Sequence, residues 1–155
     1  MPIVNKIIGF IDGASKGNPG PSGIGVYFQT DKDRKLLQIS KYRGIKTNNQ
    51  IEYEALIYAL KILKKMYFMW QLTNVSEIII NTDSELIFYQ ISGRYKVKNV
   101  IIKKLYTQAI KLMKSLPSVK LALIPRSKNK ICDRLAKKSI TIVDNSKVFE
   151  NISNK

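Results

Sequence analysis

The order of apolar segments predicts an α/β fold, a mixed sheet covered by helices. Three observations carry that reading. Between Lys6 and Tyr42, three strand-like stretches follow one another with links too short to hold a helix, which favours an antiparallel meander. Beyond them, segments with helical spacing alternate with short apolar strands. The chain has 155 residues, 45% of them hydrophobic, enough for one buried core and too few for two full domains.

Each element has a local reason. Lys6 to Asp12 is apolar and β-branched and reads as a buried strand; Gly13 to Gly20 is a glycine-, serine- and proline-rich turn. Gly23 to Phe28 is a second strand. The charged run Asp31 to Lys35 turns the chain into a third, Leu36 to Tyr42. Asn49 to Trp70 predicts a helix, with Leu56, Ala59, Leu60 and Leu63 on one stripe. Glu77 to Thr82 is the fourth strand, and Ser84 to Ile91 a short helix stopped near Gly93. Asn99 to Ser115 is a longer helix ended before Pro117; Val119 to Ile124 is the fifth strand, and Lys130 to Ile140 the last helix. Residues 1–141 are read as the domain and residues 142–155 as a flexible polar tail.

Composition narrows the chemistry. The formal net charge is +16, from 27 Lys and Arg against 11 Asp and Glu. Such a balance suits a polyanion partner, nucleic acid above all, although solubility alone is the competing explanation. No apolar run is long enough to span a bilayer, and no signal peptide is expected before Asp12, so the expectation is a cytoplasmic protein without a membrane partner. The single cysteine, Cys132, excludes an intramolecular disulfide and favours a reducing compartment. There is no histidine, which excludes Ser-His-Asp and Cys-His triads and His-ligated zinc.

With so few acids, their positions are informative. Asp12 and Asp83 end the first and fourth strands, where a turn or cap is the competing role. Glu52 is placed in the first turn of the long helix, at core-facing offsets from Leu56, Ala59, Leu60 and Leu63; a helix-dipole role would not require that stripe. Asp133 stands early in the last helix, within the otherwise basic stretch KNKICDRLAKK. Convergence of these four carboxylates at the carboxyl ends of adjacent strands would be self-repelling. Two such charges about 5 Å apart repel by roughly 3 kcal/mol at an effective dielectric near 20. Divalent cations would have to neutralise them, and an all-oxygen donor set selects Mg²⁺ or Mn²⁺. A pair of such ions supports phosphodiester hydrolysis.

Four stretches carry these acids: DGASKGNPGPSGIG from Asp12, TNNQIEYEAL from Thr47, NTDSE from Asn81 and NKICDRLA from Asn129. Together and in this order they resemble the signature blocks of type 1 ribonuclease H. The resemblance implies a ribonuclease H-like fold, a five-stranded mixed sheet of three antiparallel strands and two parallel additions, flanked by helices. It implies endonucleolytic hydrolysis of the RNA strand of RNA/DNA hybrids by a two-metal-ion mechanism, with 5′-phosphate products. Two Mg²⁺ ions are the implied cofactors, with Mn²⁺ as an alternative. It implies Asp12, Glu52, Asp83 and Asp133 as catalytic metal ligands. Gly13, Asn18, Asn48 and Asn49 match positions that contact the RNA strand, and Thr47 and Asn99 match positions that hold a DNA phosphate. Turn formation at Asn18 and helix capping at Asn48, Asn49 and Asn99 are the competing roles.

Two departures stand out. Relatives often have a histidine before the last acid, where this chain reads Ile-Pro-Arg-Ser-Lys-Asn from Ile124 to Asn129. Arg126 is either a phosphate-steadying or product-release group or a plain surface cation. Many relatives also have a long basic protrusion, here reduced to ISGRYKVK, with Arg94, Tyr95, Lys96 and Lys98 as the remaining grip and a solvated loop as the alternative. The chain is thus read as a short, monomeric form that acts on RNA/DNA hybrid. An inactive nucleic-acid-binding module and a related nuclease acting on DNA are the rival readings.

Overall fold

The computed structural model describes residues 5–69, 72 and 74–153, of which 144–153 are described as backbone only. Five strands, β1 (Lys6–Ser15), β2 (Gly20–Thr30), β3 (Lys35–Lys46), β4 (Glu77–Thr82) and β5 (Val119–Leu123), form one sheet in the order β3-β2-β1-β4-β5. The first three make the expected antiparallel meander, and β4 and β5 add in parallel beside β1. Four of the five strands therefore point the same way, and their carboxyl ends share one edge.

The helices are α1 (Asn48–Phe68), α2 (Glu85–Ile91), α3 (Val100–Lys114) and α4 (Lys130–Ser153), with a single 3₁₀ turn at Arg126–Lys128 before α4. The first three start where a side chain satisfies their free amides. Thr47 and Gln50 form a capping box on α1, Ser84 caps α2, and Asn99 caps α3 through Ile101 and Ile102. Ile24, Val26 and Phe28 of β2 face the core shared with α1, which buries Leu56, Ala59, Leu60 and Leu63 against Ile7, Ile11, Ile78 and Ile80. The alternate β2 positions, Gly23 and Gly25, face α4. A Cβ on Gly25 would stand 2.2 Å from the Cys132 carbonyl, so glycine lets α4 lie directly on the sheet.

Strand and helix bounds differ from the sequence reading mainly at their ends. The first turn was expected from Gly13, but β1 continues to Ser15, because Gly13, Ala14 and Ser15 pair with β2. Glu52, expected in the first helical turn, lies in the second, because α1 already begins at Asn48 behind its Thr47 cap. Trp70, the expected end of that helix, lies outside the described residues. The last helix was expected to stop at Ile140 with a polar tail from residue 142. Its backbone instead stays helical to Ser153. Polarity had suggested the end, but the segment contains no glycine or proline to stop a helix. Among the described residues no helix is long and apolar enough to cross a membrane.

Candidate active site

Strand register brings the first two acids together. Phe10 pairs with Asn81 across β1 and β4, and two residues further along each chain stand Asp12 and Asp83. The third acid arrives on α1. At Gly13 the two backbones touch: a Cβ there would lie 2.8 Å from the Ile51 carbonyl group and 2.9 Å from the Glu52 amide. Only glycine permits that approach, and it delivers Glu52 to the strand ends. Asp12, Glu52 and Asp83 each present a carboxylate oxygen within 4.8 Å of the others.

Among the described residues, none of the three makes an ion pair. Asp12 is buried, and its Oδ1 accepts a hydrogen bond from the Gly13 amide at 3.0 Å. Burial first, then the negative charges of Asp83 and Asp133, push its carboxyl up to about 7. Glu52 is raised well above the usual range, again by burial first and then by Asp12 and Asp83. Its side chain is half-buried, but its Oε2 is sealed from solvent and has no hydrogen-bond partner. A sealed, unpartnered carboxylate oxygen beside two other carboxylates suits a hard divalent cation, which supplies the missing charge and accepts oxygen donors. The cluster is thus a candidate metal centre.

Asp133 does not join that group. It lies in the first turn of α4, part-exposed, with Lys137 one turn on at 3.0 Å. Its charge still acts on Asp12. The sequence expectation of four converging acids therefore becomes three grouped within 4.8 Å and one at the rim.

Asn129 is the residue that the sequence reading passed over. Only 1% exposed, it stands immediately before α4; its Nδ2 donates to the Ile11 carbonyl at 2.8 Å and, more weakly, to Asp83 Oδ2 at 3.4 Å. One side chain thus ties α4 to β1 beside Asp12 and touches Asp83. Its presence in the NKICDRLA block was the available signal, but an Asn before a helix reads first as a cap. Cys132 is inert by comparison: its Sγ lies 3.1 Å from the Phe10 carbonyl, and burial pushes its thiol far up.

The other singled-out residues surround the cluster in two groups. Asn18, whose peptide bond to Pro19 is cis, accepts the Asn48 amide on its Oδ1 at 3.0 Å, so it helps hold the start of α1. Thr47 is that helix's cap rather than Asn48 or Asn49, which are its exposed first two residues. Asn99 uses its Oδ1 as the cap of α3, at 2.9 and 3.1 Å from the Ile101 and Ile102 amides. Arg126 opens the 3₁₀ turn and shares a hollow of about 390 Å³ with Asp83, Glu85 and Pro125. In the reduced basic loop, Tyr95 packs on Tyr89 with ring centroids 4.9 Å apart, and the Arg94 guanidinium lies 5.8 Å from the same Tyr89 ring. Lys96 and Lys98 are exposed.

Comparison with known proteins agrees with this geometry. A family model described as reverse transcriptase-like matches residues 10–139. A bifunctional protein of Mycobacterium tuberculosis is 36% identical over 132 residues, 84% of this chain but 34% of that protein. The chain thus spans about a third of the length of that relative. An RNase H1 isolated from compost superposes with a TM-score of 0.82 at 40% identity, covering 90% of this chain and 98% of that one. The same enzyme in complex with an RNA/DNA hybrid gives 0.81 at 38% identity, covering 88% and 98%. With its strand order, its acid cluster and these likenesses taken together, the chain belongs to the reverse transcriptase-like family, among the type 1 ribonucleases H.

Proposed function

We propose that the chain is a metal-dependent endonuclease that hydrolyses the RNA strand of RNA/DNA hybrids. The observation that carries this is the cluster of Asp12, Glu52 and Asp83, within 4.8 Å and without an ion pair among the described residues. It sits at the carboxyl ends of parallel strands, where α/β folds bind ligands. The hybrid bound to the similar compost enzyme supports the substrate class.

Asp12, Glu52 and Asp83 would hold Mg²⁺, with Asp133 completing the set from the rim. Mn²⁺ fits the same oxygen donors. Bound there, a pair of such ions would supply the Lewis acidity that phosphodiester hydrolysis needs. The chain's own part is to bind and orient. Asp12 and Glu52 must give up any proton they hold before acting as ligands, so metal affinity rises with pH. Gly13, Asn18, Asn48 and Asn49 line the approach at the start of α1, where amide donors and acceptors suit 2′-hydroxyls. Thr47 and Asn99 stand at helix N-termini whose dipoles favour a DNA phosphate. The hollow that Arg126 shares with Asp83 supports a role for it in steadying a phosphate or assisting product release. Arg94, Tyr95, Lys96 and Lys98 form the remaining loop grip. We read the chain as acting as a monomer in a reducing compartment, which suits its lone buried thiol.

The test is a Mg²⁺-dependent cleavage assay on end-labelled RNA/DNA hybrid, double-stranded RNA and double-stranded DNA. Cleavage confined to the RNA of the hybrid, with 5′-phosphate products, is expected. Binding without cleavage would identify an inactive module, and preferential DNA cleavage a different nuclease.

A further inference from the structure

Eleven of the 27 Lys and Arg fall between Glu85 and Asp133, a stretch without a single acid. Four of them, Lys103, Lys104, Lys111 and Lys114, lie on α3. Ile102 and Ala109 turn inward to the core, while Val100, Lys103, Lys104 and Thr107 form an exposed stripe at helical spacing. Together with Val97 and Lys98, that stripe lines a hollow of about 590 Å³. Its lining combines two valines and a threonine with three lysines. None of Lys98, Lys103 and Lys104 makes an ion pair among the described residues. A merely solvated helix face normally intersperses both signs; this one holds back every acid.

Topology sets where this face points. α3 packs on α1, the helix that carries Glu52, and joins the reduced loop after α2 to the amino end of β5. Its outer stripe faces away from that packing. The reduced loop is partly committed within the chain, because Arg94 and Tyr95 pack against Tyr89. Lys96 and Lys98 of the loop and Lys103 and Lys104 of α3 are exposed and make no ion pair among the described residues.

We propose that the outer face of α3, centred on Lys103 and Lys104, is a second nucleic-acid contact surface that takes backbone phosphates of the hybrid away from the cleaved linkage. The inference rests on the hybrid reading above and goes beyond it. The grip lies on a helix face rather than on the loop, and it engages only substrates long enough to reach past the acid cluster. Phosphate contacts of this kind position the duplex without reading its sequence.

The experiment measures affinity for a one-turn and a three-turn RNA/DNA hybrid by fluorescence anisotropy in EDTA, over a salt series. The wild type is expected to bind the longer hybrid more tightly and with the steeper salt dependence. The K103A/K104A variant should lose most of that difference, weakening long-hybrid binding by roughly tenfold and lowering the slope of log K against log salt by one to two. A K61A/K65A variant removes the same charge from the far half of α1 and should keep the difference. The proposal is overturned if K103A/K104A keeps the wild-type difference, or if both variants lose it equally, since net charge would then be responsible. It is also overturned if K103A/K104A loses binding to phosphatidylserine vesicles while its hybrid slope is unchanged, which would assign the face to a lipid surface. Cleavage of the one-turn hybrid by the wild type in Mg²⁺ checks the parent reading separately. No cleavage removes that reading, whereas cleavage with an unaltered length difference removes only the α3 surface.

Discussion

The two ends of β4 treat their acids in opposite ways. At its start, Glu77 stands between Lys6 and Lys120, at 3.4 and 3.3 Å, and their hydrogen bonds and charges hold its carboxyl below the usual range. Just past its other end, Asp83 meets Asp12 and Glu52 with no ion pair among the described residues, and the last two are pushed up instead. The chain has lysines to spare, so the bare end is not a shortage of cations. A charge left unneutralised in a basic protein marks a place reserved for a cation that the chain does not supply.

The largest effect should come from breaking the bare end. Asp83→Asn keeps the shape but removes a charge and a ligand. Cleavage is expected to fall by several orders of magnitude. The metal-free variant should melt above wild type, since repulsion of a few kcal/mol per close pair is relieved. It should gain less from Mg²⁺, because stabilisation grows as RT ln(1 + [L]/Kd) and Kd has risen. Melting in EDTA and in Mg²⁺, beside a cleavage assay, reads all three. A variant that melts lower in EDTA, responds normally to Mg²⁺ and still cuts would sink the site.

The pH response of the metal-free protein sharpens the same contrast. Asp12 has a folded value near 7 against an ordinary 3.8, so between those values the folded state holds the extra proton. Stability should therefore fall as pH rises from about 4 to 7, by an amount on the order of 4 kcal/mol for Asp12 alone. Glu52 adds to this in the same direction. Glu77, lowered, contributes in the opposite sense, with stability lost as pH falls through its folded value. Urea unfolding in EDTA across this window measures the balance. Constant stability would mean that the acids are solvated.

Asn129→Ala tests what holds the bare end in shape. It leaves the Ile11 carbonyl without the Nδ2 donor and should cost about 1–3 kcal/mol. Because Asp83 also loses a contact, Mg²⁺ affinity should fall with stability. A stability loss with unaltered Mg²⁺ affinity would confine Asn129 to the attachment of α4. The smallest effect belongs to the neutralised end: Glu77→Gln should leave stability almost unchanged and cleavage as it was, since surface pairs contribute little. A drop in activity there would erase the contrast between the two ends.

Much of this was legible in the chain itself. The close strands before Tyr42 and the later alternation of helix and strand predicted the mixed sheet, because periodicity is a local property of side chains. Asp12 and Asp83 were recognisable because each follows an apolar strand, and Glu52 because it shares the core stripe of Leu56 and Leu60. The caps at Thr47 and Asn99 gave no such certainty, since a side chain that caps a helix and one that meets a phosphate have the same identity and spacing.

The sequence by itself determined which residues bear charge, where helices and strands form, and that no histidine chemistry is available. Tertiary structure decided which of the acids meet. The parallel register of β1 and β4 sets Asp12 beside Asp83, and the close approach at Gly13 delivers Glu52. The start of α4 leaves Asp133 at the rim, turned to Lys137, and buries Asn129, 118 residues from the carbonyl it binds. The reason is physical. Periodicity and capping act over a few residues, whereas the distance between two carboxylates depends on strand register and backbone contact between segments far apart in the chain.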